Sequence, residues 1–64
     1  MTIAQSLKAY YNHYEDVERL LDSANAFDHT LEQINDLIIV YTFDDDSKLR
    51  VETVPMGDFV QVVL

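Results

Sequence analysis

The stretch LIIVYTFDDDSKLRVETV, Leu37 to Val54, decides how this chain folds. Leu37, Ile39, Tyr41 and Phe43 alternate with Ile38, Val40 and Thr42. Such a β-branched and aromatic run, apolar on both faces, predicts a strand in the middle of a sheet. Asp44 to Ser47 interrupts it as a turn, and Lys48 to Val54 resumes period two, with Leu49, Val51 and Thr53 on one face and Arg50 and Glu52 on the other. Pro55 to Asp58 forms the next turn, in which Pro55 presets one dihedral and Gly57 tolerates positive φ. Phe59 to Leu64 is then a third strand, and the three make an antiparallel meander.

Upstream of the meander the period changes. Thr2 and Gln5 fit a capping box, in which side chains satisfy backbone donors at a helix start. Ile3, Leu7, Tyr10, Tyr14, Val17, Leu21 and Ala24 then recur at alternating steps of four and three, which predicts one amphipathic helix of roughly six turns. Tyr11 and Leu20 widen its apolar stripe, and His13, Glu15, Asp16, Glu18 and Asp22 fall on its wet face. Between helix and meander, Phe27, Leu31 and Ile34 sit at i, i+4 and i+7, so Ala26 to Asp36 favours a short second helix. The alternative is a fourth strand that turns back through Asn35-Asp36, a dipeptide that tolerates the left-handed conformations of tight hairpins. The expected fold is α+β: an N-terminal amphipathic helix, with or without a short second one, packed on a three- to four-stranded antiparallel β-meander.

With 64 residues, 48% of them hydrophobic, and only one Gly and one Pro, the chain reads as a single domain spanning residues 1–64. Its margin of stability is thin without a disulfide, a metal or a partner. There is no cysteine, which leaves oligomerisation as the available reinforcement. No long apolar run and no secretory signal pattern is read, so the expectation is a cytoplasmic protein without a membrane partner.

Charge is distributed unevenly. Glu15, Asp16, Glu18, Asp22, Asp28, Glu32, Asp36, Asp44, Asp45 and Asp46 face a single base, Arg19, within residues 10–46, a local balance of −9 in a chain of net −8. Direct nucleic-acid binding needs clustered Lys and Arg, so these ten acids point instead to a basic protein surface. Glu15, Glu18 and Asp22, at i, i+3 and i+7, step about 4.5–6 Å along a helix axis, against about 3.4 Å for phosphates on one strand of a duplex. That comparison suggests charge mimicry aimed at a nucleic-acid-binding protein, with Tyr11 as a candidate aromatic contact. Pairing of Glu15 with Arg19 at i, i+4 would neutralise part of this stripe. In size and charge the chain resembles small acidic inhibitors encoded by phages, among them anti-CRISPR proteins and uracil-DNA glycosylase inhibitors. The resemblance carries no residue motif and assigns no site.

Catalytic parts are missing. No serine lies in a glycine elbow and one glycine cannot build a phosphate cradle, so no enzyme, no catalytic residue and no cofactor is expected. Asp44 to Asp46 fails the calcium-loop pattern, because Lys48, Leu49 and Pro55 occupy its fifth, sixth and twelfth positions. His13 and His29 each precede an acid by three residues but lack the spacing of a zinc pair, so no metal is expected. The competing reading is a homo-oligomeric adaptor, most simply a dimer, whose acidity serves solubility. Its candidate edge is the last strand, through Phe59, Val60, Val62 and Leu64.

Overall fold

The computed structural model describes residues 1–12 and 14–63, with residue 14 described by its backbone alone. Two helices, α1 (Ile3–Tyr10) and α2 (Val17–Ala26), precede four strands, β1 (His29–Asn35), β2 (Ile38–Phe43), β3 (Lys48–Val54) and β4 (Gly57–Val62). The strands form one antiparallel sheet in the order β1-β2-β3-β4. The fold is α+β, and β2 is an inner strand, as its apolar character on both faces implies.

One expectation is corrected at the N-terminus. The single six-turn helix is two helices, separated at residues 11–16, with a 3₁₀ turn over Tyr14–Asp16. A continuous helix over residues 3–24 would run about 33 Å, while strands of six or seven residues span about 20–23 Å. Its far end would have no sheet beneath it. Breaking the helix lets both apolar segments share one core, with Ala4 and Leu7 from α1 and Leu20 and Ala24 from α2 all buried.

The break also changes which residues face inward. Tyr10, assigned by spacing to the apolar stripe, is 80% exposed. Tyr11 takes its place: its ring packs against the core and its hydroxyl accepts a 3.0 Å hydrogen bond from Ser23 Oγ. In α2 the buried line runs through Leu20 and Ala24, and Val17 and Leu21 flank it. The assignment of Tyr14 to the stripe and of His13 to the wet face lies outside the described side chains.

A second correction concerns Ala26 to Asp36. The short helix favoured by spacing is instead the tail of α2 followed by strand β1. The strand alternative is the one adopted, but its turn lies one residue later than Asn35-Asp36. Asn35 still pairs with Ile38, Asp36 and Leu37 make the turn without positive φ at Asn35 or Asp36, and the Leu37 N–H donates to Asn35 Oδ1 at 2.8 Å. The physical reason is tertiary: β2 needs a partner on its free side, and ladder pairing from His29↔Phe43 to Gln33↔Ile39 outweighs a weak local helix preference. A β-bulge between Gln33 and Asn35 accommodates the turn.

Sheet register sorts the side chains. Phe43, Leu49, Val51 and Val60 lie on the helix side and are buried, with Tyr41 and Val62 packed beside them. Lys48, Arg50, Glu52, Phe59, Gln61 and Val63 lie on the opposite, outer face. At the β3–β4 turn Gly57 adopts φ +134, a conformation L side chains rarely reach.

Candidate functional site

The acidic residues divide by what their carboxylates do. Glu15 and Asp16 lie in the 3₁₀ turn, Glu18 and Asp22 on α2, Asp28 between α2 and β1, Glu32 on β1, Asp36 in the β1–β2 turn, and Asp44 and Asp46 in the β2–β3 loop. All are exposed except Asp16, which is half-buried. Because His29 pairs with Phe43, Asp28 and Asp44 sit across from one another at one end of the β1–β2 hairpin, and Asp36 sits at the other end.

Among the described residues the ion pair present is Arg50 to Glu52, at 2.9 Å on the outer sheet face. Glu15 does not pair with Arg19 as i, i+4 spacing suggested. Glu15 belongs to the 3₁₀ turn and Arg19 to α2, so the two do not share one α-helical phase. The regular carboxylate stripe is likewise shortened to Glu18 and Asp22. Glu15 and Asp16 stand instead at the positive end of the α2 dipole.

Asp45 has an internal role. Its Oδ2 accepts from the Ile3 N–H at 2.7 Å, and its Oδ1 accepts from the Ser47 N–H at 3.0 Å and from the Ser47 hydroxyl. The Ser47 hydroxyl, 1% exposed as a residue, in turn accepts from the Ala4 N–H at 3.1 Å. Thr2 Oγ1 accepts from the Gln5 N–H at 3.1 Å, and the Thr2 N–H donates to Gln5 Oε1 at 3.1 Å, completing the expected capping box. The first three N–H groups of α1 are therefore satisfied, two of them by a loop more than 40 residues away. Asp-x-Ser is legible as an Asx turn, but the distant helix terminus that it clamps leaves no local signal.

These hydrogen bonds, the Ser47 hydroxyl first and the Ile3 N–H next, hold the Asp45 carboxyl below the ordinary aspartate range. A carboxyl depressed in the folded state contributes stability above its unfolded value, and that contribution is lost as pH falls through the folded value. Asp45→Asn is therefore expected to lie below the wild type in thermal melts at pH 7. The gap should narrow as the pH drops below about 4; a gap independent of pH would show that the carboxylate charge adds nothing.

His29 is half-buried on the helix side of β1, against Tyr41 at 5.2 Å between ring centroids. Its Nδ1 lies 2.7 Å from the Phe27 carbonyl oxygen, so that nitrogen donates. Strand geometry puts Glu32 on the other face, which removes the side-by-side His29–Glu32 arrangement that a helix would have produced. Among the described residues no His, Asp and Glu cluster is arranged to hold a metal. Among the described residues no helix is long and apolar enough to cross a membrane.

Of the remaining candidates, Val60 is buried in the core and Val62 packs against it, while Phe59 is exposed on the outer face. Leu64 lies outside the described residues. No protein-family model matches the chain, and no curated protein or solved structure was found to match it.

Proposed function

We propose that this chain is a non-enzymatic protein-binding module, a small acidic inhibitor or regulator acting in the cytoplasm on the basic surface of a nucleic-acid-binding protein. One observation carries the reading: Glu15, Asp16, Glu18, Asp22, Asp28, Glu32, Asp36, Asp44 and Asp46 are without an ion pair to any described residue. They lie on elements consecutive in the chain, from the 3₁₀ turn through α2 and β1 to the ends of the β1–β2 hairpin, and Arg19 is the one Lys or Arg in the sequence between Tyr10 and Asp46. Lys48 and Arg50 project from the outer face of β3, the face that also carries Glu32 two strands away, and Arg50 is engaged by Glu52. A basic partner gains Coulomb attraction without first breaking internal pairs.

The immobilised chain is expected to capture a nucleic-acid-binding protein, with capture falling steeply as salt rises and displaced by duplex DNA. Reversing Glu18 and Asp22 to lysine should weaken it by about tenfold or more. Capture indifferent to salt and DNA would sink the reading.

A separate observation supports the homo-oligomeric alternative. Val54, Met56 and Phe59 line a shallow apolar hollow at the β3–β4 turn, and Val63 is exposed on the same outer face as Phe59. In size exclusion with light scattering, a dimer weakened by Phe59→Lys would favour this reading; a monomer at micromolar concentration would count against it.

A further inference from the structure

The phase of the β-ladders identifies which backbone groups of β1 are open. The Thr53 N–H donates to the Leu37 carbonyl at 2.7 Å and the Phe43 N–H to the Ser47 carbonyl at 2.9 Å. Odd-numbered residues of β2 therefore turn their backbone groups toward β3. Alternation in an antiparallel ladder assigns the even-numbered ones, Ile38, Val40 and Thr42, to β1. Their register partners Thr30 and Glu32 bond inward, and the N–H and C=O groups of His29, Leu31 and Gln33 face the open edge.

This edge is poorly covered. The helices pack chiefly over β4, at the other side of the sheet. Along β1 and its turn, Leu31, Ile34 and Leu37 are 58%, 54% and 55% exposed. An open edge that carries apolar side chains is a template for another strand. The two faces of that template differ. Leu31 lies on the helix side, paired with Tyr41, and Glu32 lies on the outer side, paired with Val40. Asp28 and Asp36 stand at the two ends of the strand.

We infer that β1 receives an extended segment of the basic partner as a fifth strand, with apolar side chains on the helix side against Leu31 and basic side chains on the outer side against Glu32. This rests on the acidic-surface reading above and adds its geometry: main-chain bonds to His29, Leu31 and Gln33 supply affinity, and the alternation of apolar and basic residues supplies selectivity. Charge complementarity favours this occupant over a second copy. In the antiparallel self-pairing centred on Leu31, Glu32 of each copy is diagonal to its equivalent on the outer face, about 7–8 Å apart, within a Debye length of about 8–10 Å. Self-pairing would also double a net charge of −8.

The probe is a capped peptide of about nine residues alternating valine and lysine. It is compared with a peptide of the same composition whose lysines are grouped at one end, and with two N-methylated forms. Methylating the valine amides removes the donors that face β1; methylating the lysine amides removes only donors that face away. The alternating and lysine-methylated peptides are expected to bind, and the valine-methylated peptide to bind about tenfold more weakly or worse, because several main-chain bonds are lost. Amide exchange should slow at His29, Leu31 and Gln33 upon binding and stay unchanged at Thr30 and Glu32, whose amides already have partners.

Equal binding of all four peptides would overturn strand addition and leave the acidic-surface reading standing, since charge alone would account for it. Absence of peptide binding while salt-sensitive capture persists would have the same consequence. Loss of both would remove both. A wild-type dimer that Gln33→Pro dissociates, together with no peptide binding, would assign the edge to a second copy and overturn the proposal. That substitution removes an outward N–H without touching the β1–β2 ladder.

Discussion

Replacing Leu20 with alanine is expected to destabilise the chain by about 2–5 kcal/mol, whereas Tyr10→Ala should change stability by less than about 0.5 kcal/mol. Leu20 is fully buried and belongs to the same core as Ala4 and Leu7 of α1 and Leu49, Val51 and Val60 of the sheet. Removing most of its side chain leaves a cavity where two helices and the sheet meet, and all three would have to shift to close it. A domain of 64 residues is typically stable by about 3–10 kcal/mol in total, so the substitution removes a large share of the margin. Tyr10 lies mostly in solvent, and its ring contacts only Tyr11, edge to face at 4.8 Å among the described aromatic pairs. Urea titrations of both variants, fitted for midpoint and slope, separate the two outcomes. A larger loss from Tyr10→Ala than from Leu20→Ala would restore the continuous six-turn helix, in which Tyr10 lies on the seam and Leu20 at its margin.

Ser47→Ala is the second large effect, at about 1–3 kcal/mol. The hydroxyl accepts from the Ala4 N–H and donates to Asp45, so its removal strands a buried donor at N2 of α1 and deprives the carboxylate of its strongest partner. An unsatisfied buried group costs more than the net value of an ordinary hydrogen bond. In a domain of this size each kcal/mol lowers the melting temperature by about 4–8 °C. Asp44→Ala, in the same loop with no side-chain hydrogen bond or ion pair among the described residues, is the matched control and should stay within about 0.5 kcal/mol of the wild type. The pH signature adds a second readout: losing Ser47 removes the leading cause of the low Asp45 value, so the variant should lose less stability than the wild type as the medium is acidified. If Ser47→Ala melts with the wild type, the N-terminus of α1 is satisfied by water and the clamp is dispensable.

Local chemistry was a good guide wherever an element is decided by its own residues. The central strand, the turn at Asp44 to Ser47, the turn read at Pro55 to Asp58, which the structure tightens to Pro55 and Met56 with β4 starting at Gly57, and the Thr2–Gln5 capping box each depend on contacts within a few positions. Residues 26–36 were legible only as two alternatives, because i, i+4, i+7 spacing and a hairpin dipeptide coexist there and the choice belongs to β2, which needs a partner. The acidic residues were legible as charges but not as a surface. Asp45 was indistinguishable from its neighbours Asp44 and Asp46 until α1 was placed beside it, and Glu15 matched the Glu18–Asp22 phase only as long as the helix was continuous.

By itself the sequence determined an acidic α+β chain with a three-strand meander and a capped first helix, since periodicity, turn chemistry and capping act over a few residues. Only the tertiary structure decided that the helix breaks after Tyr10, that Tyr11 turns inward in its place, that Asp45 is held by a helix terminus, and that β1 presents an open edge. The physical reason is common to these cases. Each is settled by which surface lies opposite once the chain has folded back, and burial against a distant partner outweighs the few tenths of a kcal/mol by which neighbouring residues prefer one local conformation over another.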